Sequence, residues 1–296
     1  MKIQTLKALL RVEAVGSIRA AAESLNISQP ALTLAIQQLE AEMGAPLLVR
    51  SKRGMTFTVY GESLLRHARL IVSESQRIQE EFAQMKGHWE GEIRLSASPA
   101  IALSVLPQAL RPFMEQYPQV RIHCMDGVVP AVNPALRAGT LDFALTPVWA
   151  DALESGMEAE VLFDREIVVV AHASNPLVGA TRLEQLLDVP WVYASPSPGP
   201  GAVMEMAFRQ AGLPAPTPVM ICESLLALPD MVAHSRLFTT LPVALYERAP
   251  ASLGLRIVPL LDPIPTLQIA ILKMKSVPLT PAAQELLRWV RLAAKA

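Results

Sequence analysis

The sequence predicts a multi-domain chain: an N-terminal winged helix-turn-helix, a long linker helix and a C-terminal two-lobed α/β body. Three observations carry that reading. Residues 17–40, SIRAAAESLNISQPALTLAIQQLE, describe two short helices around a tight turn. Residues 61–87 repeat apolar or small side chains at heptad spacing with no proline. From residue 92 onward, apolar runs of strand length alternate with helical stretches. A chain of 296 residues suits two or three domains, at ~100–200 residues each. With 51% hydrophobic and 18% charged residues it has ample material for a core.

The first short helix is expected over residues 18–25, where Ala20, Ala21 and Ala22 let a neighbouring helix approach closely. Asn26, Ile27 and Ser28 make the turn. Ser28 is placed to N-cap the second helix, and Pro30 falls in its first turn, where a missing N–H costs nothing. The second helix is expected to bury Ala31, Leu32, Ile36 and Leu39, leaving Gln29, Thr33, Gln37 and Gln38 outside. A short polar outer face of this kind suits a DNA major groove. Gln can pair with adenine N6 and N7, and Thr can reach a base edge or a thymine methyl. An ordinary helical hairpin is the competing reading, and the segment that follows weighs against it.

Residues 47–49 and 55–58 read as two strands joined by Arg50, Ser51, Lys52, Arg53 and Gly54. This β-wing has three cations at its tip and no acidic residue between Glu42 and Glu62. Cations so placed sit on phosphates or in the minor groove. The charge distribution agrees. Residues 1–60 hold Lys2, Lys7, Arg11, Arg19, Arg50, Lys52 and Arg53 against Glu13, Glu23, Glu40 and Glu42, a balance of +3, while the remainder carries −4. A basic head on an acidic body fits a nucleic-acid module joined to something else. Double-stranded DNA is the expected partner, with Gln29, Pro30 and Thr33 approaching bases and Arg19, Arg50, Lys52 and Arg53 taking the backbone or minor groove.

The heptad seam of the linker helix runs Leu64, Ala68, Ile71, Ser75, Ile78, Phe82 and Met85. A lone helix with one apolar stripe must bury it, and a second copy of the helix is the natural cover. A homodimer through this segment would place two recognition helices on a two-fold-related site. Gly87 and Gly91 flank a break. Beyond it, strands are expected over 93–97, 120–125 and 141–146, with helices over 103–116 and 132–138 between them. The alternation returns with strands over 191–194, 219–222 and 237–240 and helices over 201–211 and 224–233. Such βαβ alternation predicts parallel sheets. Residues 166–171 and 268–272 read as crossovers between two similar lobes, and residues 281–294 as a closing helix. The expected domains are residues 1–60, the linker 61–90, lobe I over 91–164 and 268–296, and lobe II over 165–267.

Several classes fall away on composition. The first ten residues, with Lys2 and Lys7, read as an amphipathic helix rather than a secretory leader. No apolar run approaches the ~18 residues that span a bilayer, so no membrane partner is expected. Two cysteines, Cys124 and Cys222, are too few for a disulfide framework and suit a reducing cytoplasm. The five histidines (67, 88, 123, 172 and 234) show no metal-ligand spacing. No phosphate-binding glycine loop and no G-x-S-x-G elbow is present, so neither an enzyme nor a bound cofactor is expected.

The order of AAAESLNISQPALTLAIQQLE, PLLVRSKRGMTFT, a Gly61-led helix and a two-lobed α/β body resembles the LysR-type transcriptional regulators. The resemblance covers the whole chain and is most specific in the first 60 residues. It implies a winged-helix DNA-binding domain, a linker-helix dimer and an effector domain shaped like a periplasmic binding protein. It also implies a tetramer on DNA, with RNA polymerase among the partners it allows. SASPAIAL, GTLDFALT, CESLLALP and VAHSRL are most similar to the toluenesulfonate-type regulators of aromatic catabolism. Two departures stand out: Leu48-Val49 replaces a common Leu-Phe, and Leu34 replaces a polar or basic residue on the recognition helix, narrowing base readout.

An effector is expected in the cleft at the carboxyl ends of the strands. Three segments converge there: Ser96 to Ala100, with Ser98, Pro99 and Ala100 foremost; Ser195 to Gly201, with Ser197, Pro198, Gly199 and Gly201; and the strand ends Thr146-Pro147 and Cys222-Glu223-Ser224. Helix-start N–H groups and Ser hydroxyls would hold an anion. Ile101, Val128, Val129 and Trp149 would hold an aromatic or aliphatic body. The expected ligand is a small organic acid, an aromatic carboxylate or sulfonate, with Glu223 serving an inter-lobe hydrogen bond. A thiol redox sensor using Cys124 and Cys222 is the alternative on the same architecture.

Overall fold

The computed structural model of the chain describes residues 1–51, 54–129, 131–148, 153–196 and 203–295. It divides into two compact units: residues 1–91 with 134–141, and residues 92–133 with 142–296.

The first unit opens with α1 (Ile3–Val15), α2 (Ile18–Ser24) and α3 (Gln29–Met43). The α2–α3 turn follows the expected chemistry. Asn26 adopts φ +53°, a left-handed conformation that Asn tolerates better than most residues. Ser17 and Ser28 cap the two helices, accepting from Ala20 N at 3.4 Å and Ala31 N at 3.3 Å. Leu32, Ile36 and Leu39 are buried against α1 and α2, whereas Ala31 is exposed. The buried stripe is spaced four and three residues apart, and Ala31 lies about 100° off it, on the outer side.

The wing pairs β1 (Leu48–Ser51) antiparallel with β2 (Gly54–Phe57). Its base is stitched to the helices. The Glu40 carboxylate accepts from the N–H groups of Leu47 and Leu48 at 2.7 and 3.2 Å. Thr58 donates its hydroxyl proton to Pro46 O at 2.6 Å and accepts from Gly61 N at 3.0 Å, capping α4 (Val59–Met85). At 27 residues α4 is about 40 Å long. Leu65 and Ala68 bury against α1, and Arg69 pairs with Glu13. Farther along, Ser73 donates to Gly139 O at 2.7 Å, and buried Arg77 reaches the carbonyls of Gly139 and Leu141. Of the heptad seam, Ile71, Ile78, Phe82 and Met85 remain exposed, Met85 at 73%.

The second unit begins with β3 (Gly91–Ala97), whose first residue closes the other unit, then α5 (Pro99–Ala102), α6 (Val105–Gln116) and β4 (Val120–Asp126). The chain then passes through α7 (Asn133–Arg137), which apart from Asn133 belongs to the first unit, before β5 (Phe143–Val148), β6 (Met157–Arg165) and β7 (Ile167–His172). Next are β8 (Val192–Tyr193), α8 (Val203–Gln210), β9 (Met220–Ile221), α9 (Leu228–Ala233), β10 (Thr239–Pro242) and α10 (Val243–Arg248). The chain closes with β11 (Leu255–Ile257), β12 (Leu267–Met274) and α11 (Pro281–Ala294). A five-stranded sheet has the order β4-β3-β5-β12-β6, and a three-stranded one the order β10-β7-β11.

The expected parallel sheets are realised only in part. β3 runs parallel to β5, and β8 to β9. β12 instead runs antiparallel to both β5 and β6, and β7 antiparallel to both β10 and β11. β7 follows β6 after the single residue Glu166 yet joins the other sheet, and β12 returns to the five-stranded sheet after β11. The strand β6, absent from the sequence reading, pairs with β12 along its whole length. Around the three-stranded sheet, Trp191 is fully buried with Tyr193, Phe208 and Phe238, its indole N–H donating to Leu186 O.

On the five-stranded sheet, α11 is tied to β6 by Arg291, whose Nε and Nη2 donate to the two Glu160 oxygens at 2.7 and 2.8 Å. That fork holds the Glu160 carboxyl below its usual range. Both partners are substantially exposed, so the pair is worth at most about 1 kcal/mol. A depressed folded pKa stabilises above the unfolded value, about 4.3, and that stability is lost as pH falls through the folded value. Glu160→Gln is therefore expected to lower Tm slightly at neutral pH, with the difference from wild type vanishing in acid. A deficit that persists unchanged in acid would refute the linkage.

Candidate functional site

Two regions carry the chemistry, one in each unit. In the first, α3 presents exposed Gln29, Pro30 and Gln37 with half-buried Thr33. The Thr33 hydroxyl donates back to Gln29 O at 2.9 Å, so its methyl and remaining lone pairs face outward. Leu34, 56% exposed, adds an apolar contact to that face. Ser28 acts in the structure as the α3 cap. Arg19 on α2 pairs with Glu23 at 3.0 Å, both highly exposed, a contact weak enough to exchange for a phosphate. Arg50 lies on β1, and Lys52 and Arg53 lie outside the described residues. Glu40 is the residue of this region that the sequence reading passes over. Its acidic side chain looks out of place beside a basic wing, which is the signal that it has an internal partner.

In the second unit a cavity of about 30 Å³ lies between the five-stranded and three-stranded sheets. On the side of the five-stranded sheet it is lined by Pro147 and Arg165 of the strands, by Ser98 and Pro99 at the start of α5, and by Val128 after β4. Ile167, Ala194, Leu225, Thr240 and Pro242 line it from the second. The wall is almost wholly apolar, which makes its polar atoms informative. Ser98 is 2% exposed, and its hydroxyl has no hydrogen-bond partner. Arg165, the last residue of β6, donates from Nη2 to Ser104 Oγ at 3.0 Å and stacks over the Phe163 ring at 5.0 Å, while its buried Nε has no partner. Buried polar groups in native proteins are almost always hydrogen-bonded, so these atoms are available to a polar group that enters the cavity.

The anticipated residues divide on this geometry. Ser98, Pro99, Ala100 and Pro147 line the cavity. Thr146 is fully buried behind it, accepting from Val129 N at 3.3 Å and donating to Pro147 O at 3.3 Å. Val129 turns toward Asn133 and Glu154 in a separate small void, and Glu223 is exposed and lines neither. Ser197, Pro198, Gly199 and Gly201, with Trp149, lie outside the described residues. The expected ring of free helix-start N–H groups is reduced at α5. Pro99 has none, and those of Ile101 and Ala102 both donate to Ser98 O at 2.9 Å. Arg165 supplies a positive charge instead. In the sequence Arg165 is flanked by Asp164 and Glu166, which hides it as one charge of a mixed run.

A wider cavity of about 330 Å³ adjoins the first, with Pro99 and Leu225 lining both. Cys124 and Asp126 of β4 face it. Cys124 is solvent-exposed, yet partial desolvation by its neighbours, then the nearby Asp126, push its thiol above its usual pKa, which lowers the fraction of reactive thiolate. Cys222 is buried, its Sγ toward Ser224 O at 3.5 Å. Among the described residues no three His, Cys, Asp or Glu side chains gather as metal ligands, and no helix is long and apolar enough to cross a membrane.

Residues 86–295 match the family described as the LysR substrate binding domain, and residues 3–62 the bacterial regulatory helix-turn-helix proteins of the lysR family. This chain belongs to the LysR family. It is a DNA-binding transcriptional regulator with an effector-binding domain, not an enzyme. The LysR regulator is 27% identical to the transcriptional regulator TdcA of Escherichia coli K12 over 81% of this chain and 77% of that protein. It is equally similar to GalR of Pseudomonas putida, at 27% over 91% of this chain and 68% of that one. Among solved structures, full-length CbnR in complex with its target DNA superposes with a TM-score of 0.72 at 21% identity, covering 99% of this chain and 100% of that one. Full-length BenM gives 0.57 at 25% identity, covering 99% and 96%.

Proposed function

We propose that this LysR regulator reads duplex DNA through α3 and the wing, as a dimer through α4 that assembles into a tetramer on DNA, and that a small organic anion held between its two lobes sets that activity. The observation that carries the effector half is the pairing of orphaned Ser98 Oγ with Arg165 in an otherwise apolar cavity. A carboxylate or sulfonate satisfies both groups at once, and charge-assisted hydrogen bonds are the strong kind. The toluenesulfonate-like stretches SASPAIAL and CESLLALP contribute Ser98, Pro99, Ala100 and Leu225 to the same cavity, which supports an aromatic acid. The raised thiol of Cys124 favours this reading over a redox sensor.

For the DNA half, the likeness to CbnR, whose structure holds target DNA, and the exposed polar face of α3 support base readout by Gln29, Thr33 and Gln37. The apolar seam of α4 left exposed in one chain supports the dimer. The lobes are assigned as residues 91–164 with 268–296, and 165–267. A duplex selected from a random pool by the full chain provides the test. Gln37→Ala is expected to cost about 1 kcal/mol or more and to relax preference at one base pair. Arg19→Ala is expected to flatten the salt dependence by about one unit while leaving sequence preference intact. If both variants select and bind as wild type does, the assignment of α3 to the groove fails.

A further inference from the structure

We propose that the anion is a monoanion with an extended apolar body, its carboxylate in the inner cavity and its body in the outer one. The inference rests on the anion reading above and adds which acids qualify. The inner cavity, at about 30 Å³, holds a group the size of one or two waters. A carboxylate fits there and an aromatic ring does not. The outer cavity, at about 330 Å³, falls within the usual range for small-ligand sites. Its wall is apolar through Ala102, Leu103, Met125, Leu226 and Leu245.

Pro99 and Leu225 line both volumes, so the two cavities meet at these side chains. A ligand anchored at Ser98 and Arg165 reaches the outer wall only if a short, slim spacer passes these two residues. A ring bonded directly to the carboxylate would have to lie beside the inner volume, which is too small to hold it, whereas a two-carbon spacer leaves the ring free to occupy the outer one. Leu226 at the outer cavity is 87% exposed, an apolar side chain that a bound ligand body would cover. Asp126 is the charged residue lining the outer cavity among the described residues. It disfavours a second carboxylate at the far end of the ligand, so dianions are excluded by like-charge repulsion.

The test uses the full chain with 3-phenylpropanoate, benzoate and 3-(4-carboxyphenyl)propanoate, followed by calorimetry and by alkylation of Cys124. That thiol faces the outer cavity and is exposed, while buried Cys222 serves as the internal reference. We expect 3-phenylpropanoate to bind at least about tenfold tighter than benzoate, since each buried methylene is worth about fourfold. At ten times its Kd it should slow iodoacetamide modification of Cys124 by about tenfold, and benzoate should not. Leu226→Asp should weaken 3-phenylpropanoate alone, and Asp126→Asn should admit the dianion. Ser98→Ala should weaken both monoanions. Benzoate binding as tightly as 3-phenylpropanoate, or 3-phenylpropanoate binding without protecting Cys124, overturns the two-cavity inference and leaves the anion site standing. Absence of binding by every carboxylate overturns both.

Discussion

Gly61→Val is expected to detach the wing from the helix that carries it. A Cβ at Gly61 would lie 2.2 Å from Leu47 O and 2.9 Å from Phe57 Cδ1. The first of these is backbone, so it cannot turn aside as a side chain would. The same carbonyl accepts from Thr58 N at 3.0 Å, and Thr58 in turn caps α4 through Gly61 N. Relief of the clash therefore breaks the contacts that fix the wing base. Overpacking of a rigid site costs about 1–3 kcal/mol, and the upper end applies here. Amide exchange of Thr58 should then accelerate on the order of 100-fold, and DNA affinity should fall with it. The Trp191 core belongs to the other unit and should melt unchanged. Wild-type exchange at Thr58 in the variant would contradict the close-approach account of Gly61.

Arg165→Gln is expected to abolish most of the affinity for organic anions without disturbing the fold. The side chain stacks on Phe163 and donates to one half-buried hydroxyl, that of Ser104, contacts that need little of its charge. A hydrogen bond between charged partners is worth about 1.5–3 kcal/mol, or roughly 10–100-fold in Kd. Glutamine keeps a donor near the cavity but removes the positive charge, which separates the electrostatic contribution from shape. Calorimetry with 3-phenylpropanoate should show that loss, while 3-phenylpropanamide, which carries no charge, should bind both proteins equally. Equal loss for both ligands would mean that Arg165 acts by holding the cavity open.

The head of the molecule was legible because its signals are local. Ser28 caps the helix that follows it, and Asn26 makes its turn within a few residues of the groups it orients. The misplaced residue there, Ala31, shows the limit of a pattern that weighs small side chains as apolar: one position off the stripe is enough to face outward. The α/β body was legible as an alternation of elements but not in its pairing. Nothing in the residues of β7 or β12 records which neighbours they meet or in which direction, because the partners lie elsewhere in the chain. Arg165 escaped for the same reason. Its significance arises from Ser104, 61 residues earlier, and from the orphaned Ser98 across the same cavity. Ser98 itself was legible because a Ser-Pro step at a strand end is a local feature.

If anion binding in the cleft sets DNA binding by the head, the coupling between the two binding events is reciprocal. The direct measurement is fluorescence anisotropy of the full chain on its selected duplex, titrated with 3-phenylpropanoate, for wild type and Arg165→Gln. The account predicts that DNA affinity changes with ligand, with a midpoint that tracks the calorimetric Kd of each protein and moves by the same factor between them. A DNA affinity that stays constant while 3-phenylpropanoate fills the cleft would contradict it.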